Sequence, residues 1–501
     1  MEASISKQSA LEHWLDEDPA ATVGDEAREL WQHVVAFHDA IEANEPRRLE
    51  WLGLLCDRAL DIDGRLRGAL LEAKLPLPED VRAALVAVVG ASVRLAQVGQ
   101  RLGSIRADNG DEFPGRMLPQ ALAMAMIRVA GVLSAMGGLS PPFNLWAMAH
   151  ALARGTTSSS GRGEGGDKLS QDIDRAYKCL LALAVIQPEG FTPAELQWLA
   201  DFLERFASEV RLVPLDGEAG EGFWIDVDQD APPVAITRRP PPVVDGVLKM
   251  DARALAARAS DGLTRLRGVP EEKVTNVFDA VTALTVGADL PEGLTVGDAM
   301  GVLDRVARRW SAAPLRERPR RWQHQPVAVC FGLAAIWERL GAAQAAIAPV
   351  EEWVIVNESI GGYAIQGQGN AASGLAAGMA VGVRLAASGG WTVCIVRWLR
   401  AEDPAHVELG LQVVADGAAP VRLGFRGGEL REMVPGLMLS PRVGMRSLSG
   451  MLVPAGTSVG RRFVFVRDGT PIYVGQGLLV SVEIRTATSE LFQFELDPIP
   501  E

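Results

Sequence analysis

The chain has 501 residues, 48% of them apolar, and a formal net charge of −14. That length exceeds what one hydrophobic core serves and points to about three domains, and so apolar a composition excludes global disorder. The acidic balance argues against a general binder of nucleic acid or of anionic membrane.

The opening residues, MEASISKQSALEHW, carry neither a basic region nor an apolar core, so no signal peptide is expected. Residues 1–154 read as a helical domain. Leu30, Val34, Phe37 and Ile41 recur at helix spacing, as do Trp51, Leu54 and Leu55 and then Leu60 and Leu66. Pro76, Pro78 and Asn109-Gly110 punctuate the pattern. Ser140-Pro141-Pro142 reads as an N-cap and first-turn prolines for a helix through Trp146 and His150. Residues 83–93 are uncharged but far short of the about 20 needed to span a bilayer. Residues 117–139 are longer but carry Arg128, so no transmembrane helix is expected.

Residues 155–168, GTTSSSGRGEGGDK, are too poor in apolar side chains to build a core and read as a flexible linker. A second helical domain follows over 169–312, with Thr192-Pro193 as a helix start and helices at 251–266, 271–284 and 296–310. Residues 213–245 interrupt it as an extended crossing segment, with a strand-like Gly222-Phe223-Trp224-Ile225 and the run Pro240-Pro241-Pro242. Nothing in these domains carries chemistry. His33 and His38 are five apart, off a common helix face, so no metal site is expected. The four cysteines, Cys56, Cys179, Cys330 and Cys394, form no CxxC and read as buried free thiols in a reducing compartment.

From residue 313 the period changes to that of strands. An arginine-rich run, RERPRR at 316–321, precedes a strand-like Pro326-Val327-Ala328-Val329. The connection from 329 to 356 is long and, with Trp337-Glu338-Arg339, accommodates a helical turn. Trp353-Val354-Ile355-Val356 then leads into NESIGG at 357–362, which reads as a turn into Tyr363-Ala364-Ile365. GMAVGVRL, WTVCIVRW and VELGLQVV follow as strands. Arg316 and Arg320 offer planar forks of donors suited to guanine O6 and N7 and to phosphate oxygens. Asn357 supplies an amide and Ser359 a hydroxyl, while Gly361 and Gly362 permit a positive φ or the close approach of a flat base. Arg321 leaves the register of the arginine pair ambiguous.

This ordered pair, Arg-x-x-x-Arg and then Asn-x-Ser-x-x-Gly after a strand, resembles the PilZ domain, the bacterial receptor for cyclic di-GMP. The resemblance covers roughly residues 314–426 and implies an antiparallel β-barrel at 313–426. It also implies cyclic di-GMP as ligand, held by Arg316, Arg320, Arg321, Asn357, Ser359, Gly361 and Gly362. The family's outputs imply control of motility, pili or biofilm formation in the cytoplasm. The Gly367–Ala372 stretch superficially matches a dinucleotide fingerprint but lacks the βαβ unit, and no catalytic motif stands in a persuasive context, so no enzyme is expected.

Residues 427–501 are again β-rich, with Leu437-Met438-Leu439, 450–453, 462–466, 477–482 and 492–496 as strands. They form either a second small barrel or a sheet beside the first. The expected fold is thus a multidomain α+β chain: an N-terminal all-α bundle or superhelix, a PilZ-like antiparallel β-barrel and a C-terminal β-rich domain. The helical region is expected to meet an unidentified protein partner, with no binding of nucleic acid polymers and no membrane insertion. The alternative is a protein-interaction scaffold whose barrel binds nothing.

Overall fold

A computed structural model describes all residues except 1–10, 12, 16–21, 40–46, 109–116, 158–163, 216–219, 268–293, 295, 313–319, 342–348, 368–373, 386–388, 426–432, 443–445, 459, 468–471 and 498–501. The chain forms two compact units. One comprises Met1–Pro188, Leu196–Ala256 and Arg308–Leu315, the other Glu189–Glu195, Ala257–Ala307 and Arg316–Glu501.

The first unit is built on α1 (Val23–Asp39), α2 (Arg48–Glu72), α3 (Glu79–Asp108), α4 (Met117–Met136), α5 (Leu145–Thr157), α6 (Glu164–Val185) and most of α7 (Pro193–Phe206). In α4, Met124, Met126, Ile127, Val129, Ala130 and Leu133 are all buried, more than one face of the helix, so it lies inside the bundle. Gly99 of α3 lets α4 approach: a Cβ there would stand 2.5 Å from the Pro119 carbonyl oxygen. By length and composition 79–105 and 117–136 would suffice to cross a membrane, yet half or more of each is packed within the protein. Buried Glu26 is neutralised by Arg58, at 2.8 Å, and by Arg65.

Helices run into the Gly/Ser stretch read as linker, since α5 extends to Thr157 and α6 begins at Glu164. The helix expected at 271–284 lies outside the described residues. The segment read as an extended crossing is a four-stranded antiparallel sheet, β1 (Arg211–Pro214), β2 (Phe223–Asp226), β3 (Val234–Ala235) and β4 (Val247–Asp251), in the order β1-β4-β2-β3. Phe223, Trp224 and Ile225 are its buried strand, and the Trp224 indole donates to the Arg239 carbonyl at 2.8 Å. α8 (Arg253–Arg267) and α9 (Val296–Ser311) follow.

Ser140 is not the cap of α5. The helix begins at Leu145, and the Asp230 carboxylate takes the amides of Asn144, Trp146 and Ala147 at 2.8, 3.0 and 3.1 Å. A full negative charge meeting three free N–H groups at a helix N-terminus outcompetes a local hydroxyl.

The second unit holds two closed barrels. The first runs through β5 (Arg321–Phe331), α10 (Leu333–Gly341), β6 (Glu351–Ser359), β7 (Gly362–Gly367), β8 (Ala380–Leu385), β9 (Thr392–Asp403) and β10 (His406–Ala415). Its strands close in the order β10-β7-β6-β5-β8-β9. The second uses β11 (Ala419–Phe425), β12 (Val434–Leu439), β13 (Ser449–Pro454), β14 (Arg462–Arg467), β15 (Tyr473–Arg485) and β16 (Ser489–Leu496), closing as β11-β12-β13-β16-β15-β14. Of the two readings for the C-terminal region, the barrel is the one observed. It begins earlier than residue 427: β11 falls in the range read as the first barrel but pairs with β12 and β14. Phe463, Phe465, Phe492 and Phe494 fill this barrel, and Gly475 and Gly477 leave room for the rings of Phe465 and Phe463. Leu333 and Ile336 of α10 join one core with Ile395 of the first barrel and Leu437 and Leu491 of the second, and the Trp337 indole donates to the Val421 carbonyl at 2.7 Å.

Candidate functional site

Ile355 of β6, Ile365 of β7, Leu409 of β10 and Leu399 of β9 pair across the first barrel and are all buried; they mark its interior. Side chains alternate along a strand, so the neighbouring cross-strand row lies on the outer face. That row is Trp322, Asn357, Ala364, Gly410 and Trp398, each paired to the next. A β-bulge decides the face of Asn357. The register slips between Ile355 and Asn357, adding one residue on β6, so Asn357 pairs with outward Ala364 although Ile355, two residues earlier, points inward.

The same alternation separates the arginines. Arg321 pairs with Glu358, in the row of Tyr363 and Leu411 that turns toward the interior at the barrel end. Arg320 immediately precedes β5, two residues before Trp322, in phase with Trp322, Asn357 and Ser359 on the outer face. Both arginines are exposed, and neither makes an ion pair among the described residues. Arg316 lies outside the described residues. The structure thus brings Arg320, Asn357 and Ser359 to one face and sets Arg321 apart.

Asn357 and Ser359 stand on the last turn of strand β6 rather than in the connection, which is Ile360-Gly361. Asn357 is 8% exposed. The Ser359 hydroxyl donates to the Gly362 carbonyl at 3.4 Å, a long bond that is readily exchanged. Neither glycine has a positive φ. Gly362 is required by the barrel itself, since a Cβ would fall 1.9 Å from the Leu411 carbonyl oxygen of β10. Gly361 faces open space.

Two residues of this face escaped the sequence reading as site candidates. Gly410 is where a Cβ would meet the Trp398 indole at 1.8 Å, so the ring of Trp398 lies flat on the β10 backbone, with the Arg400 guanidinium 5.7 Å from its centroid. Trp322 is 80% exposed directly opposite Asn357. The period-two pattern signals that these positions share a face only once the bulge is known. Elsewhere the cysteines are buried free thiols; burial pushes Cys330 up to about 11 and Cys179 up to about 12, which keeps both unreactive.

Two family models match. Residues 9–216 match the N-terminal domain of the cyclic-di-GMP receptor FimW, and residues 338–420 match its middle PilZ domain. The second match contains Asn357, Ser359, Gly361 and Gly362, and it starts after the arginine run and Trp322. No curated protein matches the chain. The first match spans the helical bundle and the second most of the first barrel, together more than half of the residues, and the chain belongs to the FimW family of PilZ-containing cyclic-di-GMP receptors.

Proposed function

We propose that cyclic di-GMP binds on the outer face of the first barrel, where Arg320, Asn357 and Ser359 share one side of the sheet. The observation that carries this reading is the shared face: Arg320, Asn357 and Ser359 stand in one outward phase of β5 and β6. Arg320 brings an exposed guanidinium, whose fork fits guanine O6 and N7 or a phosphate pair. Arg316 is the second arginine of the pattern and acts with it. Arg321, in the inward row, does not contact the ligand. Gly361 leaves the β6–β7 connection open to close approach.

The ligand is a dianion on an acidic chain, so its arginine contacts carry the electrostatic attraction. Arg316 and Arg320 lie in the link in sequence between α9 and β5, and ligand contacts there favour one state of that link over another. The output is a changed encounter of the helical region with a protein partner, in the cytoplasm, in the control of motility, pili or biofilm formation. Polymeric nucleic acid and membrane insertion play no part.

Calorimetric titration of the full chain tests this. Cyclic di-GMP binds at micromolar or tighter affinity, GTP does not, Arg320→Ala abolishes binding and Arg321→Ala retains it. Absence of binding to the folded wild-type chain overturns the reading and leaves the barrel as an interaction scaffold.

A further inference from the structure

Of the twelve tryptophans, Trp322 is the one that stands exposed; the others are buried or half-buried. An indole left in water forgoes the gain of burying a large apolar surface. Its ring makes no aromatic or cation–π contact among the described residues, and the residue is 80% exposed. The cross-strand register fixes its neighbours. It pairs with Asn357, and Cβ atoms of directly opposed residues stand about 5 Å apart. Arg320 precedes it by two residues on the same face. The β5–β6 register slips just after Trp322, between Trp322 and Gln325, so the bulge turns the end of β5 at this residue.

We infer that Trp322 is the platform on which one guanine of the ligand stacks, and that it sets the base within reach of the Asn357 amide and the Arg320 guanidinium. The inference rests on the reading of this face as the cyclic di-GMP site and adds a specificity-determining residue to it. A purine laid on the indole presents its edge to the next strand, where Asn357 stands. The stack supplies affinity, and the amide and guanidinium supply the choice of base. Trp322 lies outside the matched PilZ segment, which begins at residue 338.

The test titrates the full wild-type chain and its Trp322→Ala, Trp322→Phe and Arg320→Ala variants with cyclic di-GMP, by calorimetry and by tryptophan fluorescence. Trp322→Ala is expected to weaken binding about tenfold or more, within the range for loss of one base–aromatic stack. Trp322→Phe keeps most of the affinity but loses the ligand-induced fluorescence change. Melting temperatures of both variants stay at the wild-type value, because the ring is largely exposed. Wild-type affinity in Trp322→Ala, with binding still lost in Arg320→Ala, overturns the stacking role and leaves the receptor reading intact. A wild-type chain that does not bind at all overturns both.

Discussion

Gly362 illustrates how one residue serves the barrel. Its place in Asn-x-Ser-x-x-Gly suggests a turn or a base contact, but its φ is ordinary and a Cβ would fall 1.9 Å from a backbone oxygen of β10. Backbone cannot move aside as a flexible side chain can, so Gly362→Ala is expected to cost about 1–3 kcal/mol. Denaturant unfolding will show this as a lower midpoint, while Gly361→Ala, facing open space, stays within about 0.5 kcal/mol. His150 makes a different argument. It is fully buried, with Nε2 donating to the Ala231 carbonyl at 3.1 Å and Nδ1 hydrogen-bonded to the Tyr177 hydroxyl at 2.8 Å, partners that the neutral ring satisfies. Burial holds its pKa below the ordinary 6.5. Between that lowered value and 6.5 the unfolded chain binds more protons than the native one, so stability falls as pH drops through this window. Melting curves from pH 8 to pH 5 should show the loss, and His150→Gln should flatten it.

At the scale of elements, the parts of the fold that rest on periodicity were legible and those that rest on distant partners were not. Leu30, Val34 and Phe37 on α1 and the phenylalanines of the second barrel announce a helix face and strand interiors, and they lie buried as such. The strand Ala419–Phe425 also announces itself, but alternation says nothing of which sheet a strand joins, and three residues separate it from β10. The proposed site is legible in the sequence only as residue types. Its geometry is not, because a one-residue bulge on β6 reverses the face of Asn357 and no composition signals a bulge. The cap of α5 is the clearest case of a distant partner. Asp230 lies more than eighty residues beyond the helix it caps, on the turn after β2, and ties the small sheet to the bundle. Asp230→Ala removes all three bonds and is expected to cost about 1–2 kcal/mol. Hydrogen exchange separates this from a diffuse loss: the amides of Asn144, Trp146 and Ala147 should exchange faster while those of α4 remain protected.

For the molecule as a whole, the question is how a ligand on one barrel is felt beyond it. Each unit has its own core, so a bound ligand stabilises the second unit directly by mass action, about 2.7 kcal/mol at a hundredfold excess over Kd. Mass action alone conveys nothing to the first unit. The chain passes between the units at five points, and the last of them, between 315 and 316, is where the Arg-x-x-x-Arg pattern begins. A ligand that engages Arg316 as well as Arg320 therefore acts on the crossing itself, and that is the differential contact a switch requires. Trypsin reports on it without any partner in hand. Cleavage after Arg316 in the full chain is expected to slow when cyclic di-GMP is added and to return to the unliganded rate in Arg320→Ala. Unchanged cleavage under conditions where calorimetry shows the ligand bound would separate the two halves of the argument: the barrel would be a receptor whose signal leaves by another route, such as the core that α10 shares with the second barrel.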